Sequence, residues 1–233
     1  MFQVIRICCY RNNILLKRRR PITTVRVRCE TEKELELLGS SFASATQRGD
    51  VFLLSGDLGA GKTTFARGLI RSLCNDYEMR VTSPSYLLDN AYEIPYNNNN
   101  NNNNNEHCRR LLLHHMDLYR LPSSLDDLDF LGLPSLYSMS ICLIEWPQRL
   151  SVAMYPSDFL KVDIKLLEQS AEGEMARLVT FSSSSSLGRG EKLLKMFYST
   201  WDNSPPPSSF PSLKLMSSMV FSLRRRIGNR SRG

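Results

Sequence analysis

No run of about 18 apolar residues occurs in the 233-residue sequence, so no segment is expected to cross a membrane as a helix. There is no C-x-x-C pair either. Cys8, Cys9, Cys29, Cys74, Cys108 and Cys142 are scattered, a pattern of free thiols in a reducing compartment rather than a disulfide framework. His107-Cys108 and His114-His115 offer the residue types of a metal cluster, but not the spacing of a structural zinc site. The guanine-reading motif N-K-x-D is absent, which argues against a GTPase even though Asp129-Phe130-Leu131-Gly132 spells D-x-x-G.

Acidic residues are missing from the first 29 positions, which hold eight Lys and Arg. Residues 182–233 hold nine Lys and Arg against only Glu191 and Asp202. The middle, 30–181, carries 13 basic and 21 acidic residues, a balance of −8 within a chain whose net charge is +7. The basic character therefore belongs to the ends, and direct capture of nucleic acid by the middle is not expected. Segment 1–29 has the acid-free bias of an organellar transit peptide but no serine, so two readings stand. It is either a mitochondrial or chloroplast address, removed from the mature protein, or a basic extension of a cytoplasmic one. The folded domain is expected to begin at Glu30 and to run to residue 181. Asn97–Asn105, nine consecutive asparagines, reads as an unstructured insert within it. Residues 182–233 read as a Ser/Pro/Arg-rich tail with one helix around 188–198.

Thr31 followed by Glu34 has the form of a capping box, and Leu35, Leu38, Phe42 and Ala45 recur at helical spacing up to Gly49. Val51-Phe52-Leu53-Leu54 reads as a strand buried on both faces. Phe65, Leu69 and Leu73 line one side of a second helix. Further strands are expected at 85–88, 110–116, 140–144, 159–166 and 177–181. Strand and helix alternate, which predicts an α/β fold with a largely parallel sheet flanked by helices, and the glycine motif described next makes it P-loop NTPase-like.

Between that first strand and the second helix lies Gly56-Asp57-Leu58-Gly59-Ala60-Gly61-Lys62-Thr63, a full G-x-x-x-x-G-K-[ST] motif. Its glycines let backbone N–H groups turn inward around a phosphate, and the following helix adds the positive end of its dipole. Lys62 is placed for the outer phosphates, the Thr63 hydroxyl for magnesium, and Thr64 continues the cradle. A P-loop also needs an acid opposite the threonine, at the end of another buried strand. Ile141-Cys142-Leu143-Ile144-Glu145 supplies one, and Leu111–Met116 followed by Asp117 supplies a second. Parallel strands deliver their C-terminal ends to one edge of a sheet, so both acids are expected to converge on the phosphates of ATP.

Gly56–Gly68 resembles the P-loop segment of the TsaE family, small ATPases required for threonylcarbamoyladenosine formation in tRNA. Three further blocks agree in order. Ser83-Pro84-Ser85-Tyr86 resembles that family's S-P-T-[FY], with serine in place of the usual threonine. His115-Met116-Asp117-Leu118-Tyr119-Arg120-Leu121 resembles H-x-D-L-Y-R-L, and Ile144-Glu145-Trp146-Pro147 resembles [IV]-E-W-P. The resemblance implies that Thr63 and Glu145 hold magnesium and that Asp117 orders the attacking water or a metal-bound one. It also implies that Ser83–Ser85 form a switch-like loop. As partners it implies companion subunits of the TsaB and TsaD kind, with tRNA reached only indirectly. His115 is expected to be a structural hydrogen-bonding group rather than a proton shuttle, and Trp146 to fill the core rather than to pack over the nucleotide site. The alternative activity is a P-loop kinase of a small molecule or nucleoside, although residues 118–150 offer only Arg120 and Arg149 for the arginine lid such kinases carry. A P-loop module without turnover is a further reading, opposed by the intact set of Lys62, Thr63, Asp117 and Glu145.

Overall fold

A computed structural model describes residues 24–95, 111–121, 132–169, 173, 175–185 and 187–203. The asparagine run, His107-Cys108, Asp129 and residues 1–23 and 204–233 lie outside the described residues. Seven strands form one sheet in the order β1-β7-β6-β2-β5-β4-β3. Its centre is parallel: β2 (Val51–Ser55) lies between β5 (Ile141–Glu145) and β6 (Leu160–Gln169), and β4 (Leu111–Asp117) pairs with β5. Both edges are antiparallel, β3 (Asp89–Ile94) on β4 at one side and β7 (Met175–Ser183) with β1 (Thr24–Cys29) at the other.

Three departures from the sequence-based expectations have clear causes. β1 begins six residues before the expected domain start, because Val25, Val27 and Cys29 alternate with Arg26 and Arg28 and are fully buried. A cleavage at residue 29 would therefore remove a strand of the sheet. Residues 85–88 are not a strand: Leu87 and Leu88 N–H both donate to the Pro84 carbonyl, and Leu88 has a φ of 68°. Tyr86 and Leu87 point outward, so this apolar run never becomes a buried strand. The helix expected near 188–198 is α4 (Arg189–Asn203), and it belongs to the domain rather than to a tail. Its Leu193, Leu194 and Phe197 enter the core, Phe197 stacking on Phe42 at 4.7 Å. Arg189 fixes its start by a two-point ion pair to buried Asp50, at 2.8 and 2.7 Å.

The sheet separates two hydrophobic clusters, with Phe52 and Leu54 of β2 facing one and Val51 and Leu53 the other. The first contains α1 (Glu32–Ser40), α2 (Lys62–Cys74) and α4; the second takes Leu133 of α3 (Leu133–Met139). Thr31 caps α1 by accepting from Glu34 N–H, while the Glu34 carboxylate reaches back to Glu30 N–H, one residue earlier than a standard capping box. Two glycines bring α1 and α2 into backbone contact. A Cβ on Gly68 would stand 1.8 Å from the Glu36 carbonyl oxygen, and one on Gly39 would stand 2.1 Å from that of Phe65. That crossing fixes the helix that opens at the glycine loop.

Candidate nucleotide site

β2 ends at Ser55 and the chain turns at Gly56, whose φ of 143° and whose nearness to β6 both require glycine: a Cβ there would meet the Ile164 carbonyl at 2.3 Å. Gly61, with a φ of 107°, stands at the N-cap of α2 without any side-chain cap. The helix N-terminus is thus left to a ligand, and an anion is what its dipole favours. Lys62 Nζ donates to the carbonyls of Gly56 (2.9 Å) and Asp57 (2.8 Å), arching back over the loop, and lies 4.0 Å from the centroid of the Trp146 ring. Burial lowers the pKa of its ammonium, opposed by the nearby charges of Glu145, Asp117 and Asp57.

Glu145 and Asp117 are directly paired residues of β5 and β4, so the parallel register places both carboxylates at one edge of the sheet. Both are buried. Thr63 Oγ1 donates to Glu145 Oε1 at 2.8 Å across 82 residues of sequence. Asp117 Oδ2 accepts from Ser83 and from Ser85, the latter at 2.8 Å, while its Oδ1 accepts from Tyr119 N–H at 2.9 Å. These groups, with Leu58, Gly59, Gly61, Thr64 and Trp146, line a cleft of about 290 Å³.

The structure therefore brings Lys62, Thr63, Asp117 and Glu145 to one cleft, as the strand-end reasoning expected. Thr64 lines it too, but its hydroxyl donates to Glu32 at 2.8 Å. Trp146 corrects the preference for core packing over a place at the nucleotide site. Its φ of 59° turns it out of β5; it packs against the second cluster yet stands over Lys62, with Tyr119 4.8 Å away. Tyr119 was not singled out by sequence, though its place two residues after Asp117 is the available signal. His114 and His115 do not form a cluster: alternation along β4 sends His114 to Asp89 (2.6 Å) and His115 to Glu145 (2.9 Å).

Among the described residues no group of three or more His, Cys, Asp or Glu could hold a metal alone. Magnesium does not need one, since it takes one or two protein oxygens and completes its shell with phosphates and water. A threonine hydroxyl touching a carboxylate, beside a second carboxylate, is a hard oxygen set that fits this ion.

A buried parallel strand, a glycine loop, an uncapped helix N-terminus and two strand-end acids define a P-loop nucleotide-binding fold. The family model for threonylcarbamoyl adenosine biosynthesis protein TsaE matches residues 29–176, and the chain belongs to this family. The tRNA threonylcarbamoyladenosine biosynthesis protein TsaE of Rickettsia bellii is 30% identical over 138 residues, 59% of this chain and 84% of that protein. Its counterpart in Borreliella burgdorferi is 35% identical over 133 residues, 56% of this chain and 83% of that one. Among solved structures, Bacillus subtilus YdiB aligns with a TM-score of 0.57 at 26% identity, over 79% of this chain and all of the other.

Proposed function

We propose that this chain is a magnesium-dependent ATPase that serves threonylcarbamoyladenosine formation in tRNA by acting on companion protein subunits of the TsaB and TsaD kind. The observation that carries the reading is the pairing of Asp117 and Glu145 at adjacent strand ends, opposite Thr63 and Lys62. Two of the three Lys62 donors lie on loop carbonyls and can pass to phosphate oxygens. Thr63 and Glu145 would hold the magnesium, which when bound neutralises charge on the phosphates. Asp117 is fixed by three donors, from Ser83, Ser85 and Tyr119, and a carboxylate so held can orient an attacking water. A protein partner suits the rim, where Leu58, Tyr86 and Leu87 are exposed, and the acidic balance of residues 30–181. An organellar address within residues 1–29 would have to be cleaved before Thr24 to leave β1 whole.

The test is hydrolysis of ATP by the purified chain with and without magnesium, beside Lys62→Ala. Each hydrogen bond to a charged group is worth about 1.5–3 kcal/mol, so losing two weakens nucleotide binding by about a hundredfold or more and abolishes turnover. Wild-type turnover by the variant would remove the assignment of this loop.

A further inference from the structure

Of the two described histidines, His115 is the one fully excluded from solvent. Its Nε2 lies 2.9 Å from Glu145 Oε1, the same oxygen that accepts from Thr63. An ionised carboxylate only accepts, so Nε2 carries the proton. Among the described residues Nδ1 is then a buried nitrogen without a hydrogen-bond partner. As a mere filler the ring is a poor choice, because an unpartnered polar atom in a core is costly and a leucine would lack it. The strand face it shares, with Leu113 before it and Asp117 after it, passes from hydrophobic core to site at this residue.

We infer that His115 is a positioning residue for the metal. With Thr63 it holds Oε1 of Glu145, which stops the carboxylate from rotating and keeps Oε2 for the cation. Among the described residues Oε2 takes no hydrogen bond. The inference rests on the magnesium-dependent nucleotide binding proposed above. Groups that orient a metal ligand are worth about ten- to a hundredfold in metal affinity when removed.

The measurement is the affinity for ADP by calorimetry, with and without magnesium, for the wild type, His115→Leu and His115→Gln. The leucine variant is expected to fold and to bind ADP normally without magnesium. Its magnesium-dependent gain in affinity should fall by about tenfold or more. Glutamine, whose amide N–H reaches toward the position of Nε2, is expected to recover most of that gain. An undiminished gain in His115→Leu, or a glutamine variant no better than leucine, overturns the inference. Imidazole nitrogen NMR of the wild type adds a check that requires no variant to fold. The Nε2–H tautomer is expected, with signals that shift when magnesium joins ADP; an Nδ1–H tautomer overturns the inference. A wild type whose ADP binding ignores magnesium overturns both this inference and the ATPase reading. A magnesium-dependent wild type with an equally dependent His115→Leu overturns the inference alone.

Discussion

Replacing Gly68 with alanine adds one methyl group at the point where α1 and α2 touch. That carbon would stand 1.8 Å from the Glu36 carbonyl oxygen, 2.7 Å from its carbon and 3.1 Å from Ser40 N. All three are backbone atoms of α1, so no side chain can swing away. The helices must part by roughly 1.6 Å to restore an ordinary contact of about 3.4 Å. Overpacking of this kind costs typically about 1–3 kcal/mol, and a backbone clash belongs at the upper end. Alanine recovers about 1 kcal/mol through its better helix propensity, which leaves a net loss of about 2 kcal/mol. For a domain of this size that lowers Tm by about 4–8 °C. Because α2 opens at Gly61, its displacement should also weaken nucleotide binding. Thermal melting followed by circular dichroism, with ADP titration on the same samples, reads both effects. A Gly68→Ala protein that melts at or above the wild type would refute the backbone contact as the determinant of this crossing.

Glu145→Gln and Asp117→Asn keep shape and remove charge, so each should stop ATP turnover while ADP binding stays measurable; normal hydrolysis by both would sink the converging-acid account. A chain starting at Thr24 keeps all of β1. One starting at Glu30 loses the buried Val25, Val27 and Cys29, each valine worth about 1.5–3 kcal/mol, and should melt far lower or fail to fold. Equal melting of the two would show that β1 contributes nothing to the sheet.

The cleft was legible in the sequence because its chemistry is tied to strand ends. Val51–Leu54 and Ile141–Ile144 are apolar at every position, a pattern that only a strand covered on both faces needs, and a polar residue closing such a run lands at the sheet edge. β1 was hidden because its outward positions are Arg26 and Arg28, so a clean alternation passed for part of a basic leader. The turn at 85–88 was misread because four residues carry too little periodicity to distinguish a strand from exposed side chains; the Pro84 carbonyl decides it. The role of α4 rests on long-range partners. Asp50, which anchors Arg189, is 139 positions away in sequence, and no local pattern announces it. For Trp146 the sequence favours core packing over a place at the site, whereas its backbone leaves the strand in a left-handed turn that local propensity disfavours.

Among the described residues Cys29, Cys74 and Cys142 are buried free thiols, and burial pushes the thiol of Cys142 up to about 12, far from the thiolate that reactivity requires.

The central claim joins the P-loop site to tRNA modification, and one measurement tests both together. Cells whose only copy of this protein carries Glu145→Gln, expressed at the wild-type level, should yield tRNA without threonylcarbamoyladenosine when the nucleosides are resolved by mass spectrometry. A normal content of that nucleoside, with the purified variant shown to lack ATP turnover, would contradict the claim.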